Sequence, residues 1–230
     1  RDTTQLIVDT LKEKSCMKQD VFDNTQEVFK TTKKVLKYLV TNFNKQLRPE
    51  KEVDRRIFLE YRDRGQFEAE IKVAGDILVF IMHSNVFDFD KSHSMWKTSY
   101  VKDHPQNSYC GIISIYNFLS DSFKYNRLND LGYLIGRIFI NKENHYFVEG
   151  KRQLGFLYND FANATIDTKA LREIIQSAIL YAMDFDLLVP PYDKMQFMSV
   201  EQMNDRINKS KIQTGKRLGF QFYADNEVTS

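Results

Sequence analysis

The strongest constraint on the fold of this chain is a change of hydrophobic period on either side of Pro49. Before it, Phe22, Phe29, Leu36 and Phe43 recur at a spacing of seven, with Val21, Val28 and Val35 beside them and Leu39 and Leu47 completing the stripe. Lys18, Lys30, Lys33, Lys34, Lys37 and Lys45 occupy the rest of the wheel, so residues 18–47 read as one long helix with a single apolar face. Thr25, Thr32 and Gln46 interrupt the seam, which favours a helix lying across a sheet over a homodimer joined through 18–47. A shorter helix carrying Leu6, Ile7 and Leu11 is expected before it.

From Arg56 the period is two. Ile57, Leu59 and Tyr61 alternate with Phe58, Glu60 and Arg62, Asp63-Arg64-Gly65 turns, and Phe67, Ala69, Ile71 and Val73 alternate with Glu68, Glu70 and Lys72. This predicts a hairpin with one wet face. Ala74-Gly75-Asp76 turns the chain into Ile77–His83, apolar on both faces and therefore an inner strand. Residues 111–118 fit strand or helix, Leu131–Asn141 reads as a strand, and His145–Glu149 returns from the Asn141–Asn144 turn.

Beyond the strands, Leu171, Ile174, Ile175, Ala178, Ile179, Ala182 and Met183 predict a helix capped by Asp167 or Thr168 and stopped by Pro190-Pro191. Ser199-Val200-Glu201-Gln202 fits a capping box for a second. Leu218, Phe220 and Phe222 suggest a final strand at 217–223. The expected fold is α+β, a mainly antiparallel meander sheet with a long N-terminal helix and two C-terminal helices packed on it. It forms one domain over 1–230: a helical segment 1–50, a sheet 56–158 and helices 165–210. The outline resembles sensory ligand-binding domains at the level of architecture, without a shared motif.

Charge and composition narrow the function classes. Basic and acidic side chains number 33 and 31 and are well mixed, which disfavours nucleic acid as a partner. The chain has no apolar run of membrane-spanning length. Two cysteines, Cys16 and Cys110, and an N-terminus without leader character suggest a reducing, cytoplasmic compartment.

Functional chemistry concentrates in the polar interruption Asn85–Gln106. It carries Trp96, Met95, His93, His104, Asp88 and Asp90, with His83 just before it. So long a connection usually serves as a lid or binding loop. Trp96 and Met95 either plug the domain's own core or anchor a partner, a small molecule or a protein. The leading expectation is a non-catalytic, sensor-like binding domain using this loop, with Trp96, Met95, His104 and Arg137 at its site and no cofactor. Arg137 sits in an apolar strand, where it needs a carboxylate partner or an anionic ligand.

The alternative is a metal-dependent hydrolase holding a divalent ion on His83, Asp88, Asp90 and His93, with His104 nearby, although their spacing matches no standard motif. A Cys110–His104 nucleophile and base lacks an orienting third group. The basic cluster Lys209, Lys211, Lys216 and Arg217 reads first as a solvated face. It reads second as an anion site on Lys211, Lys216 and Arg217 or a nucleic-acid footprint. Phe123-Lys124-Tyr125-Asn126-Arg127 interleaves aromatic and basic groups, the chemistry of single-strand binding, and is also explained by a turn between strands.

Overall fold

A computed structural model describes residues 2–184 and 197–205. In chain order it contains α1 (Thr3–Thr10), a π-helical segment Leu11–Ser15, α2 (Cys16–Leu47), β1 (Glu60–Asp63), β2 (Glu68–Val73), β3 (Asp76–Met82) and α3 (Ser99–Lys102). There follow β4 (Cys110–Leu119), α4 (Ser120–Lys124), β5 (Leu131–Asn141), β6 (Tyr146–Gly150), α5 (Gln153–Phe156), α6 (Thr168–Asp184), β7 (Phe197–Ser199) and a short helix over 200–205. The fold is α+β. The strands form one antiparallel sheet in the order β1-β2-β3-β4-β5-β6, and β7 also pairs with β5. None of the described helices is long and apolar enough to cross a membrane.

The helical stripe lies across one face of this sheet. Phe22, Val28, Phe29, Val35, Leu36 and Leu39 are buried in a single cluster with Leu78, Phe80, Ile113, Ile115 and the inner face of α6. The face that a dimer would have used is therefore covered within the same chain. Thr25 and Thr32 fit this core because each hydroxyl donates to the carbonyl one turn back, Val21 O at 2.7 Å and Val28 O at 2.9 Å. At Gly111 the helix comes so close that a Cβ would lie 2.0 Å from Thr25 Oγ1. α1 and the π segment continue the same helix with no buried residue, leaving Leu6, Ile7 and Leu11 exposed.

Inner strands resolve the ambiguity at 111–118 in favour of β4, paired on both sides and buried along nearly its whole length. Two strand expectations are corrected. The first strand starts at Glu60 rather than Arg56, because the Asp54 carboxylate accepts from Arg56 N at 2.8 Å and winds Arg55–Ile57 into a 3-10 turn. The hairpin also lacks a wet face on β2: Glu68 and Glu70 are each only 2% exposed.

Both C-terminal helices begin as their caps predict. Ala170 N donates to Asp167 Oδ1 at 2.7 Å, and Ser199 and Gln202 exchange hydrogen bonds of 2.9 and 3.1 Å. They cover opposite faces, α6 joining α2 while Met198, Val200 and Met203 pack on Ile77, Val79, Ile81 and Phe118. The Pro190-Pro191 stop, the final strand at 217–223 and Lys209, Lys211, Lys216 and Arg217 lie outside the described residues.

Candidate functional site

The Asn85–Gln106 excursion is folded, not an open loop. A bridge between Phe87 and Cys110 ties down its start, and two 3-10 turns, Ser94–Lys97 and Pro105–Ser108, flank α3. Ser108 Oγ donates to Asp88 Oδ1 at 2.6 Å, closing the base of the excursion. At its far side Tyr100 donates to Glu143 and accepts from Asn141, which fixes it to the β5–β6 turn. Burial and the Glu143 carboxylate both push the Tyr100 phenol above its usual range, so it stays a donor.

This cover buries an aromatic cluster against the second sheet face. Met95 and Val101 are buried with Ile112, Phe139, Phe147 and Phe161, and Phe87, Phe89, Trp96 and Tyr100 pack at the margin. Trp96 is half-buried, donates from Nε1 to Phe89 O at 3.1 Å and has the Lys91 ammonium over its ring. Met95 and Trp96 thus pack into the domain's own core, Met95 buried and Trp96 in part.

Behind the cover, a polar row crosses the same face. Ser114 of β4, Arg137 of β5 and Glu149 of β6 are register partners. Arg137 donates to Glu149 Oε2 at 2.6 Å, and its guanidinium lies over Phe139 at 5.5 Å. The other oxygen of Glu149 lies 3.3 Å from His93 Nε2. His93 also caps the Ser94–Lys97 turn, its Nδ1 accepting from Met95 N at 3.3 Å. One carboxylate therefore links a strand arginine to the excursion. At the other end of the row, His83 Nε2 is 3.1 Å from Ser114 Oγ.

A cavity of about 210 Å³ adjoins this row, lined by Leu134, Ile135, Gly136, Arg137, Glu149 and Lys151. Its origin is topological. The outer edge of β5 pairs with β6 from Gly136 onward and with β7 at Leu131–Tyr133, leaving Leu134 and Ile135 between the two. A register shift at Ile115/Tyr116 on the other side of β5 bends the strand at the same level. Gly150 lets the chain turn sharply there, since a Cβ would meet Leu154 Cβ at 2.5 Å, and the turn delivers Lys151 to the rim.

Of the expected site residues, the structure unites His93 and Arg137 and packs Met95 and Trp96 beside them. It separates the rest. His104 is exposed, Cys110 is fully buried, and burial pushes the Cys110 thiol well up, with the Asp88 charge adding to it. A thiol held protonated is a poor nucleophile. Asp88 and Asp90 are spent on local bonds, to Ser108 and Ser92, while His83 faces Ser114. Among the described residues no group of three or more His, Cys, Asp or Glu could hold a metal ion. Glu149 and Lys151 escaped sequence reasoning, yet Glu149 had a signal. It stands as far beyond the 141–145 turn as Arg137 stands before it, which places the two opposite each other.

No protein-family model matches this chain, and neither curated proteins nor solved structures give a match.

Proposed function

We propose that this chain is a non-catalytic, sensor-like binding domain whose ligand is a small carboxylate with a short apolar body. The observation that carries the reading is Glu149, which holds Arg137 with one oxygen and approaches His93 with the other. Arg137 and Lys151 supply cations at the cavity wall, and Leu134 and Ile135 supply apolar surface. A cavity of about 210 Å³ suits a ligand of a few heavy atoms. A carboxylate arriving at Arg137 competes with Glu149 for the guanidinium fork. Glu149 then repartitions toward His93, and because His93 caps the turn carrying Met95 and Trp96, the excursion registers the exchange.

Trp96 is the sole tryptophan, so its emission reads this step directly. Titration with acetate, butyrate and succinate is expected to give a saturable emission change for at least one of them. Arg137→Met should weaken it about tenfold, the loss of one charge-assisted pair. Flat Trp96 emission and unaltered proteolysis of the excursion across such a panel would remove the reading.

A further inference from the structure

A second cavity, of about 350 Å³, opens on the same sheet face at the other end, between β1, β2, α4 and the 200–205 helix. Arg62, Arg64, Lys72 and Lys124 line it, and no carboxylate does among the described residues. Two acids stand behind these cations. Glu70, its side chain 3% exposed, accepts from Arg64 Nε at 2.5 Å and lies 3.7 Å from Arg62. Glu60 pairs with Arg62 at 3.0 Å and with Lys72 at 3.4 Å. Asp121 acts on Lys124 from outside the lining, so the acids stand around this cavity and the cations face it.

Arg64 is the best oriented of the four. Glu70 holds its Nε from one side and the Phe123 ring lies 5.5 Å from its guanidinium carbon. Its terminal nitrogens make no hydrogen bond among the described residues, so the bidentate edge of the fork is left for a ligand. A buried carboxylate that aims an arginine without covering its fork is a positioning device for an anion. The cationic lining suits a phosphate monoester, which approaches a dianion near neutral pH. Phe123 and Val200 offer apolar wall to an attached organic group.

We propose that this cavity binds the phosphate group of a small phosphorylated molecule, with Arg64 as the bidentate donor and Lys72, Lys124 and Arg62 closing around it. It is a separate site from the Arg137 cavity and stands or falls without it. Phe123 and Lys124 belong to the aromatic–basic segment noted in the sequence. A local pocket backed by acids suits one phosphorylated group better than the continuous track a nucleic-acid strand requires.

Calorimetric titration of the full chain with inorganic phosphate, pyrophosphate, citrate and a short single-stranded oligonucleotide tests the assignment. Saturable one-to-one binding of pyrophosphate is expected, with citrate far weaker. Arg64→Met should weaken it about tenfold or more, from the loss of a charge-assisted fork. Lys72→Met and Lys124→Met, at the rim, should weaken it several-fold and keep the fold intact if Arg64→Met does not. Lys97→Met, on the excursion, should leave affinity unchanged. The proposal is overturned by absence of saturable binding at millimolar phosphate and pyrophosphate, by citrate binding equally well, or by affinity indifferent to Lys72→Met and Lys124→Met. Tighter oligonucleotide binding through the same residues overturns it too.

Discussion

The two faces of the sheet are closed in different ways. Beneath α2 and α6 one continuous apolar cluster runs from Phe22 to Ala182, built by two long helices with matching stripes. The opposite face holds two smaller clusters, one under the 85–106 excursion and one under the segment around Met198, Val200 and Met203. Between them run Ser114, Arg137 and Glu149, and toward the β1 edge stand Glu68 and Glu70, the latter with Arg62 and Arg64. A face covered by long regular elements has no seam. A face covered by short pieces has seams, and both cavities discussed above lie along them.

The largest test of this contrast compares one truncation on each face. Phe29→Ala removes a side chain 1% exposed beneath the long helices and should cost about 4 kcal/mol in urea unfolding. Met95→Ala, under the excursion, should cost about 2 kcal/mol and accelerate amide exchange over residues 94–108 without touching the helical face. Equal costs, or exchange rising everywhere, would mean that the two faces unfold as one unit.

Next in size is the acid row on β2. Glu70→Leu leaves Arg64 beside an apolar group, and breaking such a largely buried pair from one side costs about 3 kcal/mol. The double variant Glu70→Leu with Arg64→Met should recover most of that loss. A double variant as unstable as the single would show that Glu70 is held for reasons other than Arg64.

The smallest effect belongs to the helix-covered face. Burial pushes the half-buried Asp76 carboxyl up to about 6, partly offset by the nearby Asn117 amide. A carboxyl raised on folding binds its proton more tightly in the native state. Its contribution is therefore present at about pH 4 and is lost as the pH rises through about 6. Asp76→Asn should flatten this slope and gain about 1 kcal/mol at pH 7, after allowance for solvent screening. A stability profile that is level between pH 4 and 7 in the parent chain would contradict it.

Much of the scaffold was readable because it depends on local rules. The seven-residue stripe, the period-two strands, the Asp167 cap and the Ser199–Gln202 box all required only neighbours along the chain. What escaped depended on partners far away in sequence. Alternation labels the outward side of β2 polar, but it cannot say that residues near 200 close over that side. The excursion's polar count likewise concealed Phe87, Phe89 and Tyr100, whose aromatic surface needed a sheet to rest on. The site was half readable. Arg137 and His93 stood out by type, whereas the carboxylate joining them followed only from strand register.

The close approach of α2 to Gly111 sets a fulcrum. Thr25 sits over that glycine with no room for a methyl group, so the helix is held close against β4 there. From this point to Leu6 the rod extends about 28 Å at the usual helical rise, much of it clear of the sheet. A tilt of about 5° at the pinned contact would swing the Leu6 end by about 2.5 Å, given that rise. Small adjustments in the sheet thus acquire reach, because the projecting arm multiplies them.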